Sequence, residues 1–512
     1  MNGKVWLVGA GPGDSELLTI KGRRLLEQAD VVVYDRLIGP GVLGYARPDA
    51  DLIDVGKRGG CHPVPQEKIE EILIERALEG KRVVRLKGGD PFLFGRGGEE
   101  MEALVRRGIA CEPVPGVTSA LAVPAFAGIP VTHRDYASSL HIVTARRRGG
   151  APIDFNALTL SEGTLAEGTL AEGTLVFLMG ASEVRGICRG LVEAGMDKNT
   201  PAALIQWGTT ARQRRITGVL ADLPDRATPP EDVPAIQDPA RPPAILVVGR
   251  VVALAEALDW RGRLPLSGRR VLVPQVSDRI KKDGRLAELL RSRGAEVLEV
   301  RVSRTEAILA PLPPLGGYGW LVFTSAAGVE FFFEGLKRDR RDIREIGAAK
   351  IAAVGPATQD AIESRGLRVD LVPSVHSGAA LGEALREVGG HTRLLLLRAQ
   401  NGAPDLPRIL RDGGLAFDEV ALYRTVPNAF KKGMNLGDIS EIDAVAFTCA
   451  SSVRSLAELW PEASVKAVCI GEQTGRAAIE AGYEVVVAKS ATLEDLANAV
   501  ETLLSPKQNT HP

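Results

Sequence analysis

Apolar runs long enough for buried strands alternate with amphipathic helices along the whole chain. The runs at 31–34 and 394–397 are continuously apolar, which is typical of strands covered on both faces. Residues 184–192 instead place apolar side chains at i, i+3, i+4, i+7 and i+8, the spacing of one helix face. Because the two patterns follow each other repeatedly, the sequence predicts an α/β fold throughout.

The chain of 512 residues is too long for a single hydrophobic core, so several domains are expected. The proline-rich segment 223–243 is interpreted as a surface loop, because the apolar run 244–248 after it still needs a sheet to join. The main boundary is predicted within 260–268, where a new α/β series follows. The division is then 1–260 for the first domain, 261–267 for a linker, 268–505 for the second domain and 506–512 for a polar tail.

Composition limits the classes of partner. Lysine and arginine number 63 against 64 acidic residues, so no overall field favours nucleic acid or an anionic membrane. The five cysteines show neither a CxxC pair nor a metal-ligand spacing, and no metal site is predicted. The predicted strand at 5–8 follows the first residues directly, so no signal peptide is expected, and no apolar run reaches membrane-spanning length. A cytoplasmic protein that acts on small molecules is expected.

Two internal repeats have different meanings. A five-residue unit is written three times within 161–175, which is interpreted as a longer surface loop without a function of its own. The second repeat is long-range: the segment 323–329 returns as 447–453, and 354–358 returns as 470–474. The second half of the chain is therefore predicted to have two similar lobes.

The run 85–100 is the most informative stretch for function. It begins in a buried strand that stops at Gly88 and Gly89, where missing side chains let a ligand touch the main chain. Asp90 then places a carboxylate at the strand's end, which is where ligands bind in open α/β sheets. This loop is predicted to hold a small charged ligand.

A second glycine-rich turn, 9–14, also follows a strand and suggests a dinucleotide site in a nicotinamide-dependent oxidoreductase. Pro12 and the missing third glycine of that motif count against this alternative, as does the lack of a suitably placed acidic residue about 20 residues on. The turn is better explained together with the other motifs of the first half.

The motifs of the first half are the segments 8–14, 17–19, 34–37, 56–58, 85–100, 114–120, 128–134 and 206–210. Together they resemble uroporphyrinogen-III C-methyltransferase, over roughly residues 1–260. The family transfers two methyl groups from S-adenosyl-L-methionine to C2 and C7 of uroporphyrinogen III and makes precorrin-2. The resemblance implies this methyl donor, S-adenosyl-L-homocysteine as its product, and a homodimer formed through this half.

The same resemblance implies roles for individual residues. Asp35 and Lys57 match the acid/base positions of the family, and Arg96 and Glu99 match positions implicated in substrate handling. The implied contacts to the methyl donor are made largely by the main chain. They are Pro12, Gly88, Gly89, Asp90, Leu93, Thr118, Ser119, Met179, Gly208 and Ala244.

Three arginines of this half are candidates for binding the carboxylates of the substrate. Planar guanidinium groups bind carboxylates with two hydrogen bonds, so Arg96, Arg134 and Arg212 are candidate clamps for a substrate rich in carboxylates. Each has an alternative as a solvated surface charge. Likewise, Asp35 could cap a turn and Met179 could fill a core.

The second half resembles uroporphyrinogen-III synthase in the segments 323–329, 354–358, 422–425 and 447–453. That family closes hydroxymethylbilane to uroporphyrinogen III with inversion of ring D, and it needs no cofactor. The resemblance implies one discontinuous lobe, made of 268–301 and 426–505, and a second lobe made of 302–425.

Hydroxyl side chains are the candidate ligand-binding groups of these two lobes. Thr324, Ser325, Thr448 and Ser451 would bind substrate carboxylates, although Ser and Thr after a strand also cap helices. Tyr423 matches the tyrosine that is the candidate proton donor in this family. Gln275 and Cys449 differ from residues common in the family, which often has Arg and Ser there.

The sequence therefore predicts a bifunctional enzyme of tetrapyrrole biosynthesis. It would cyclise hydroxymethylbilane and then methylate the product twice. The alternative is an active methyltransferase fused to a two-lobed, non-catalytic ligand-binding module.

Overall fold

A computed structural model describes residues 3–39, 41–47, 49–56, 64–145, 151–159, 173–227, 243–276, 284–388, 390–428, 441–461 and 464–505. Within these residues the chain forms four five-stranded sheets, two in each half. We number them sheet 1 to sheet 4 in chain order. The α/β fold class predicted from the sequence is confirmed.

Sheet 1 is entirely parallel, with the strand order β3-β2-β4-β1-β5. Its strands are β1 (Lys4–Gly9), β2 (Val31–Tyr34), β3 (Asp51–Asp54), β4 (Arg82–Lys87) and β5 (Ala110–Val114). The helices of this region are α1 (Ile20–Leu26), α2 (Gln66–Leu78), α3 (Gly97–Arg106) and α4 (Ser119–Phe126). Because β4, β1 and β5 are parallel neighbours, the loops that follow them emerge side by side at one edge.

Sheet 2 is mixed, with the order β6-β7-β10-β8-β9, and only β6 and β7 are parallel. Its strands are β6 (Ser139–Thr144), β7 (Gly173–Leu178), β8 (Pro201–Gln206), β9 (Arg214–Val219) and β10 (Ala244–Val248). The helices are α5 (Phe155–Thr159), α6 (Val184–Glu193) and α7 (Leu223–Arg226).

The last residues of the third repeat copy, 173–175, begin the buried strand β7, which lies between β6 and β10. The rest of the repeat, 161–172, lies outside the described residues.

The second half contains ten strands and eight helices within the described residues. The strands are β11 (Arg270–Gln275), β12 (Glu296–Arg301), β13 (Ser303–Ala307), β14 (Trp320–Phe323), β15 (Lys350–Ala353), β16 (Leu394–Ala399), β17 (Phe417–Pro427), β18 (Ala444–Phe447), β19 (Lys466–Cys469) and β20 (Glu484–Val487). The helices are α8 (Gly284–Ser292), α9 (Ala326–Arg338), α10 (Pro356–Glu363), α11 (Gly378–Val388), α12 (Asp405–Asp412), α13 (Ala450–Leu459), α14 (Glu472–Glu480) and α15 (Leu493–Leu504).

These strands form one discontinuous lobe and one inserted lobe. Sheet 3 has the order β12-β11-β18-β19-β20, so it joins strands from both ends of the half. Sheet 4 has the order β13-β17-β16-β14-β15 and uses only the chain between them. All neighbours are parallel except β13 and β17. This is the discontinuous arrangement expected from the sequence.

The segment predicted as a linker, 261–267, is packed against both halves. Leu266 is buried in the core of sheet 3, and the Arg261 side chain is only 8% exposed with its guanidinium over the Phe126 ring.

None of the described helices is long and apolar enough to cross a membrane.

Candidate functional sites

The glycine-rich turns after β1 and β4 contact each other directly. Gly11 and Gly89 exchange two backbone hydrogen bonds, of 2.7 and 3.3 Å. A β-carbon on Gly9 would lie 2.5 Å from Gly116 and 2.6 Å from the Gly89 carbonyl oxygen, so side chains are excluded where the three loops meet. The main chain of 88–90 therefore lies beside the turn that contains Pro12.

Asp90 holds this group of loops together. Its Oδ1 accepts hydrogen bonds from the amides of Phe92 (2.8 Å) and Leu93 (3.1 Å), and its Oδ2 accepts one from Gly116 (3.0 Å). Both carboxylate oxygens are thus engaged with the backbone. Asp90 fixes the loop in addition to any contact that it makes with a ligand.

Helix α4 connects this edge of sheet 1 with sheet 2. Thr118 caps its N-terminus, accepting from the Ala120 amide at 3.3 Å, and lies about 4 Å from where a Gly89 β-carbon would stand. Further along α4, Val123 packs so tightly on Gly208 that a β-carbon there would approach it to 2.3 Å. The N-terminus and the middle of the helix therefore border candidate donor residues.

The remaining donor candidates lie at one edge of sheet 2. Met179 follows β7, Gly208 follows β8 and Ala244 begins β10, which is antiparallel to both strands. Met179 is 45% exposed, so it does not fill a core as the alternative interpretation supposes. The loops of the two sheets touch where the Asp14 amide donates to Thr209 Oγ1 at 3.1 Å.

The backbone around these loops is unusually strained. Among the described residues, six that are not glycine have a left-handed φ. Such conformations are costly and cluster at functional sites. Five of the six lie in the loops of this region: Phe94, Arg96, Met179, Trp207 and Thr209.

A buried charge network that the sequence did not predict lies beneath the same edge. Glu100 is fully buried, and its Oε1 accepts hydrogen bonds from Arg85 Nε (3.2 Å) and Lys87 Nζ (2.9 Å). Its Oε2 is buried without a hydrogen-bond partner. Burial, and secondarily the neighbouring Arg85, lowers the pKa of Lys87. The available signal was the pair Arg85 and Lys87, placed among the apolar residues of β4.

This network reaches the candidate acid/base residue. Arg85 Nη2 lies 3.6 Å from Asp35 Oδ2, and Asp35 Oδ1 accepts a hydrogen bond from the Leu37 amide at 3.2 Å. Asp35 therefore caps a turn, as the alternative interpretation expects, and it also lies beside a buried cation. Lys57 lies outside the described residues.

The substrate candidates of the first half are placed differently from one another. Arg96 and Glu99 form an exposed ion pair, with Arg96 Nη2 at 2.6 Å from Glu99 Oε2, and Arg134 is exposed. Arg212 instead pairs with Glu441 of the second half, and its guanidinium lies 5.0 Å from the Trp207 ring centre. Because this partner comes from the other half of the chain, no local pattern could have predicted it.

In the inserted lobe, Tyr423 and Ser325 are brought together. Their hydroxyl oxygens lie 2.9 Å apart, and the buried Tyr423 ring stacks on Phe331 with 5.2 Å between ring centres. Ser325 also caps α9 by accepting from the Gly328 amide at 3.0 Å. The capping and the ligand-binding interpretations of this serine are therefore compatible. Thr324 precedes it, at the end of β14, and is half-buried.

The discontinuous lobe repeats this arrangement after β18. Thr448 and Ser451 are half-buried at the start of α13, and Cys449 Sγ lies 3.2 Å from Ser451 Oγ. Cys449 occupies the N-cap without a side-chain hydrogen bond to the helix, unlike Ser325. Gln275, at the end of β11, donates to Glu299 at 2.9 Å. Within the described residues, no group of three His, Cys, Asp or Glu side chains could hold a metal ion.

Two family models match different parts of the chain. Residues 4–224 match the family described as tetrapyrrole (corrin/porphyrin) methylases, and residues 284–498 match the family described as uroporphyrinogen-III synthase HemD. A solved uroporphyrin-III C-methyl transferase from Thermus thermophilus, complexed with S-adenyl homocysteine, is 39% identical. It covers 49% of this chain and 100% of its own, with a TM-score of 0.40.

Two curated relatives extend over most of the chain. The uroporphyrinogen-III C-methyltransferase of Bacillus subtilis is 39% identical over 377 residues, which is 72% of this chain and 73% of the relative. The porphyrin biosynthesis protein HemD of Ruminiclostridium josui is 40% identical over 513 aligned residues, covering 97% of each chain. Both resemblances inferred from sequence motifs are confirmed. The chain therefore belongs to the family of the porphyrin biosynthesis protein HemD, and it joins a tetrapyrrole methylase region to a uroporphyrinogen-III synthase region.

Proposed function

We propose that this bifunctional enzyme of tetrapyrrole biosynthesis closes hydroxymethylbilane to uroporphyrinogen III and then methylates C2 and C7 to give precorrin-2. One observation supports methyl transfer most directly. Loops from sheet 1 and sheet 2 meet at helix α4, and glycines in these loops leave the main chain uncovered by side chains. Such loops suit a ligand that is recognised through backbone groups. The proposed domains are 1–260 and 268–505, with a homodimer through the first and a cytoplasmic location.

The methyl donor in this proposal is S-adenosyl-L-methionine, which supplies a methyl group from its sulfonium. Gly88 and Gly89 leave room for the donor to reach the main chain, and Asp90 keeps that loop in shape. The proposed contacts are Pro12, Gly88, Gly89, Asp90, Leu93, Thr118, Ser119, Met179, Gly208 and Ala244.

The attacking pyrrole carbon gains a methyl group, and the ring system must afterwards lose a proton. Asp35 is the proposed acceptor, because it presents a carboxylate directly after β2, 3.6 Å from the buried Arg85. Lys57 is proposed as its acid/base partner. Arg96, Glu99 and Arg134 are proposed to hold the substrate at the exposed rim, where Arg96 and Arg134 can bind carboxylates.

In the synthase half, the hydroxyl of hydroxymethylbilane leaves as water, and ring D inverts before the ring closes. Tyr423 is the proposed proton donor to the leaving hydroxyl, with its own hydroxyl placed by Ser325. Thr324, Ser325, Thr448 and Ser451 are proposed to bind carboxylates of the linear substrate. Holding the chain folded is the larger contribution, since the substrate also cyclises unaided to the wrong isomer.

The test is an isomer-resolved product assay on the purified full chain with hydroxymethylbilane. Without the methyl donor, we expect uroporphyrinogen III, and with the donor we expect the dimethylated product. Formation of isomer I at the rate of the uncatalysed reaction would support the alternative, a methyltransferase fused to a non-catalytic binding module. Supplied uroporphyrinogen III that stays unmethylated would contradict the first activity.

A further inference from the structure

The loop 207–213, between β8 and β9, lies between the two halves of the protein. We call it the donor loop, because it contains Gly208. Its inner side contacts the glycine turn of sheet 1 through Thr209, whose Oγ1 accepts from the Asp14 amide at 3.1 Å. Trp207 and Thr209 have φ values of 50° and 68°, so this loop needs outside contacts to keep its shape.

Part of this outside support comes from the synthase half, in addition to contacts within the first half such as the bond from Gln213 Nε2 to the Phe126 carbonyl (2.9 Å). The Ala211 amide donates to Glu296 Oε2 at 2.7 Å, and Arg212 forms an ion pair with Glu441. Consecutive residues of the donor loop are therefore held by two carboxylates of the other half. The Arg212 guanidinium also covers the ring of Trp207, at 5.0 Å from its centre.

The two carboxylates are themselves fixed by one buried cation. Arg270, on β11, is 5% exposed and donates through Nη1 to Glu441 (2.8 Å) and through Nη2 to Glu296 (3.0 Å). Its backbone amide donates to Asp443 Oδ2 at 2.8 Å, next to the start of β18. The contact on the donor loop is thus built into the central strands of sheet 3.

A second contact joins the synthase half to the segment just after the glycine-rich turn 9–14 of sheet 1. Arg291, on α8, lies 3.6 Å from Glu16, just after the glycine turn, and 3.0 Å from Glu299. Burial at this junction raises the pKa of Glu16. The synthase half therefore touches both of the loops that meet at Thr209.

We propose that Glu296 and Glu441 are positioning residues for methyl transfer, and that the docked synthase half holds the donor loop in its donor-binding shape. This inference rests on the proposed donor site. It assigns Arg212 to the contact between the halves and not to the tetrapyrrole. It also implies reciprocal coupling, because a contact that favours donor binding is in turn strengthened by the bound donor.

The experiment measures S-adenosyl-L-homocysteine binding to the full chain by calorimetry, for the wild type, Glu441→Gln and Glu296→Gln. We expect each variant to bind roughly five- to tenfold more weakly, with KM for the methyl donor raised and kcat little changed. Synthase activity should stay at the wild-type level. The matched control is Glu494→Gln, which removes an exposed ion pair with Arg285 in the same lobe and should leave binding unchanged.

Arg212→Gln keeps the inference testable if the acidic variants fold poorly, because it leaves both bonds of Arg270 in place. A weaker affinity for S-adenosyl-L-homocysteine supports the inference. Normal affinity in all three variants overturns it, and so does a rise in KM for the tetrapyrrole alone in Arg212→Gln. A wild-type chain that does not bind this ligand would instead refute the proposed function.

Discussion

In the methyltransferase half, left-handed backbone and buried charge surround the candidate site, whereas hydroxyl side chains on helix N-termini carry the candidate site of the synthase half. Five of the six left-handed residues that are not glycine lie in the first region, and the sixth, Arg340, lies in a turn after α9. In the synthase half, the glycines that precede α10 and α14, Gly355 and Gly471, have an ordinary extended backbone.

The difference matches what each reaction needs. Methyl transfer requires a donor, an attacking carbon and a proton acceptor in one fixed geometry, which strained loops over a buried ion network can supply. Ring closure requires a long, flexible substrate to be folded, and hydroxyls can bind its carboxylates without fixed positive charge. We therefore expect the loss of one charge in the first site to cost more than the loss of one hydroxyl in the second.

The largest effect is expected from Asp35→Asn. If Asp35 accepts the proton, its amide replacement should lower kcat for methylation by about 10³-fold, because the base is lost. Donor binding should stay unchanged, since Asp35 is not among the proposed donor contacts. Steady-state methylation kinetics together with calorimetry for S-adenosyl-L-homocysteine measure both quantities.

Asp197→Asn is the control, since Asp197 caps an exposed turn through the Asn199 amide at 2.9 Å. Wild-type turnover in Asp35→Asn would remove the proton-transfer role and leave Asp35 as the cap of the turn at Leu37.

A smaller effect, on stability, is expected from Glu100→Gln. Neutralising this carboxylate leaves Arg85 and Lys87 buried without their shared counter-charge, so the free energy of unfolding should fall by about 3 kcal/mol. Urea denaturation followed by circular dichroism measures the change. Glu102→Gln, which removes the exposed pair with Arg106 from the same helix, should change it by less than about 0.5 kcal/mol. Equal effects of the two variants would show that the network does not depend on charge.

Glu100 also illustrates what the sequence could not predict. The strand end at Gly88 to Asp90 was predictable, because a buried strand followed by glycines has few other interpretations. A glutamate in the first turn of a helix normally suggests a solvated side chain that favours the helix dipole. Its burial depends on Arg85 and Lys87 pointing at α3 from β4, which is a matter of tertiary packing.

The pairing of Arg212 was hidden for a similar reason. Its sequence neighbourhood is a run of arginines after a strand, which fits a carboxylate-binding site as well as a contact between domains. Only the docking of sheet 3 onto the donor loop brings Glu441 to it. By contrast, the repeated motifs predicted a strand followed by a helix in both lobes, because strand end and helix start are adjacent in sequence, although only Ser325 caps its helix through the side chain.

The smallest effect is expected from Tyr423→Phe in the synthase half. The substitution keeps the ring that stacks on Phe331 and removes only the hydroxyl that meets Ser325. If that hydroxyl assists departure of the substrate hydroxyl through one hydrogen bond, worth about 1 kcal/mol, the rate of isomer III formation should fall about fivefold. Tyr318→Phe, which removes a hydrogen bond to Asp418 from the same lobe, is the control and should keep the wild-type rate. A loss as large as that of Asp35→Asn would mean that the synthase also depends on one indispensable proton donor, and the contrast between the two sites would not hold.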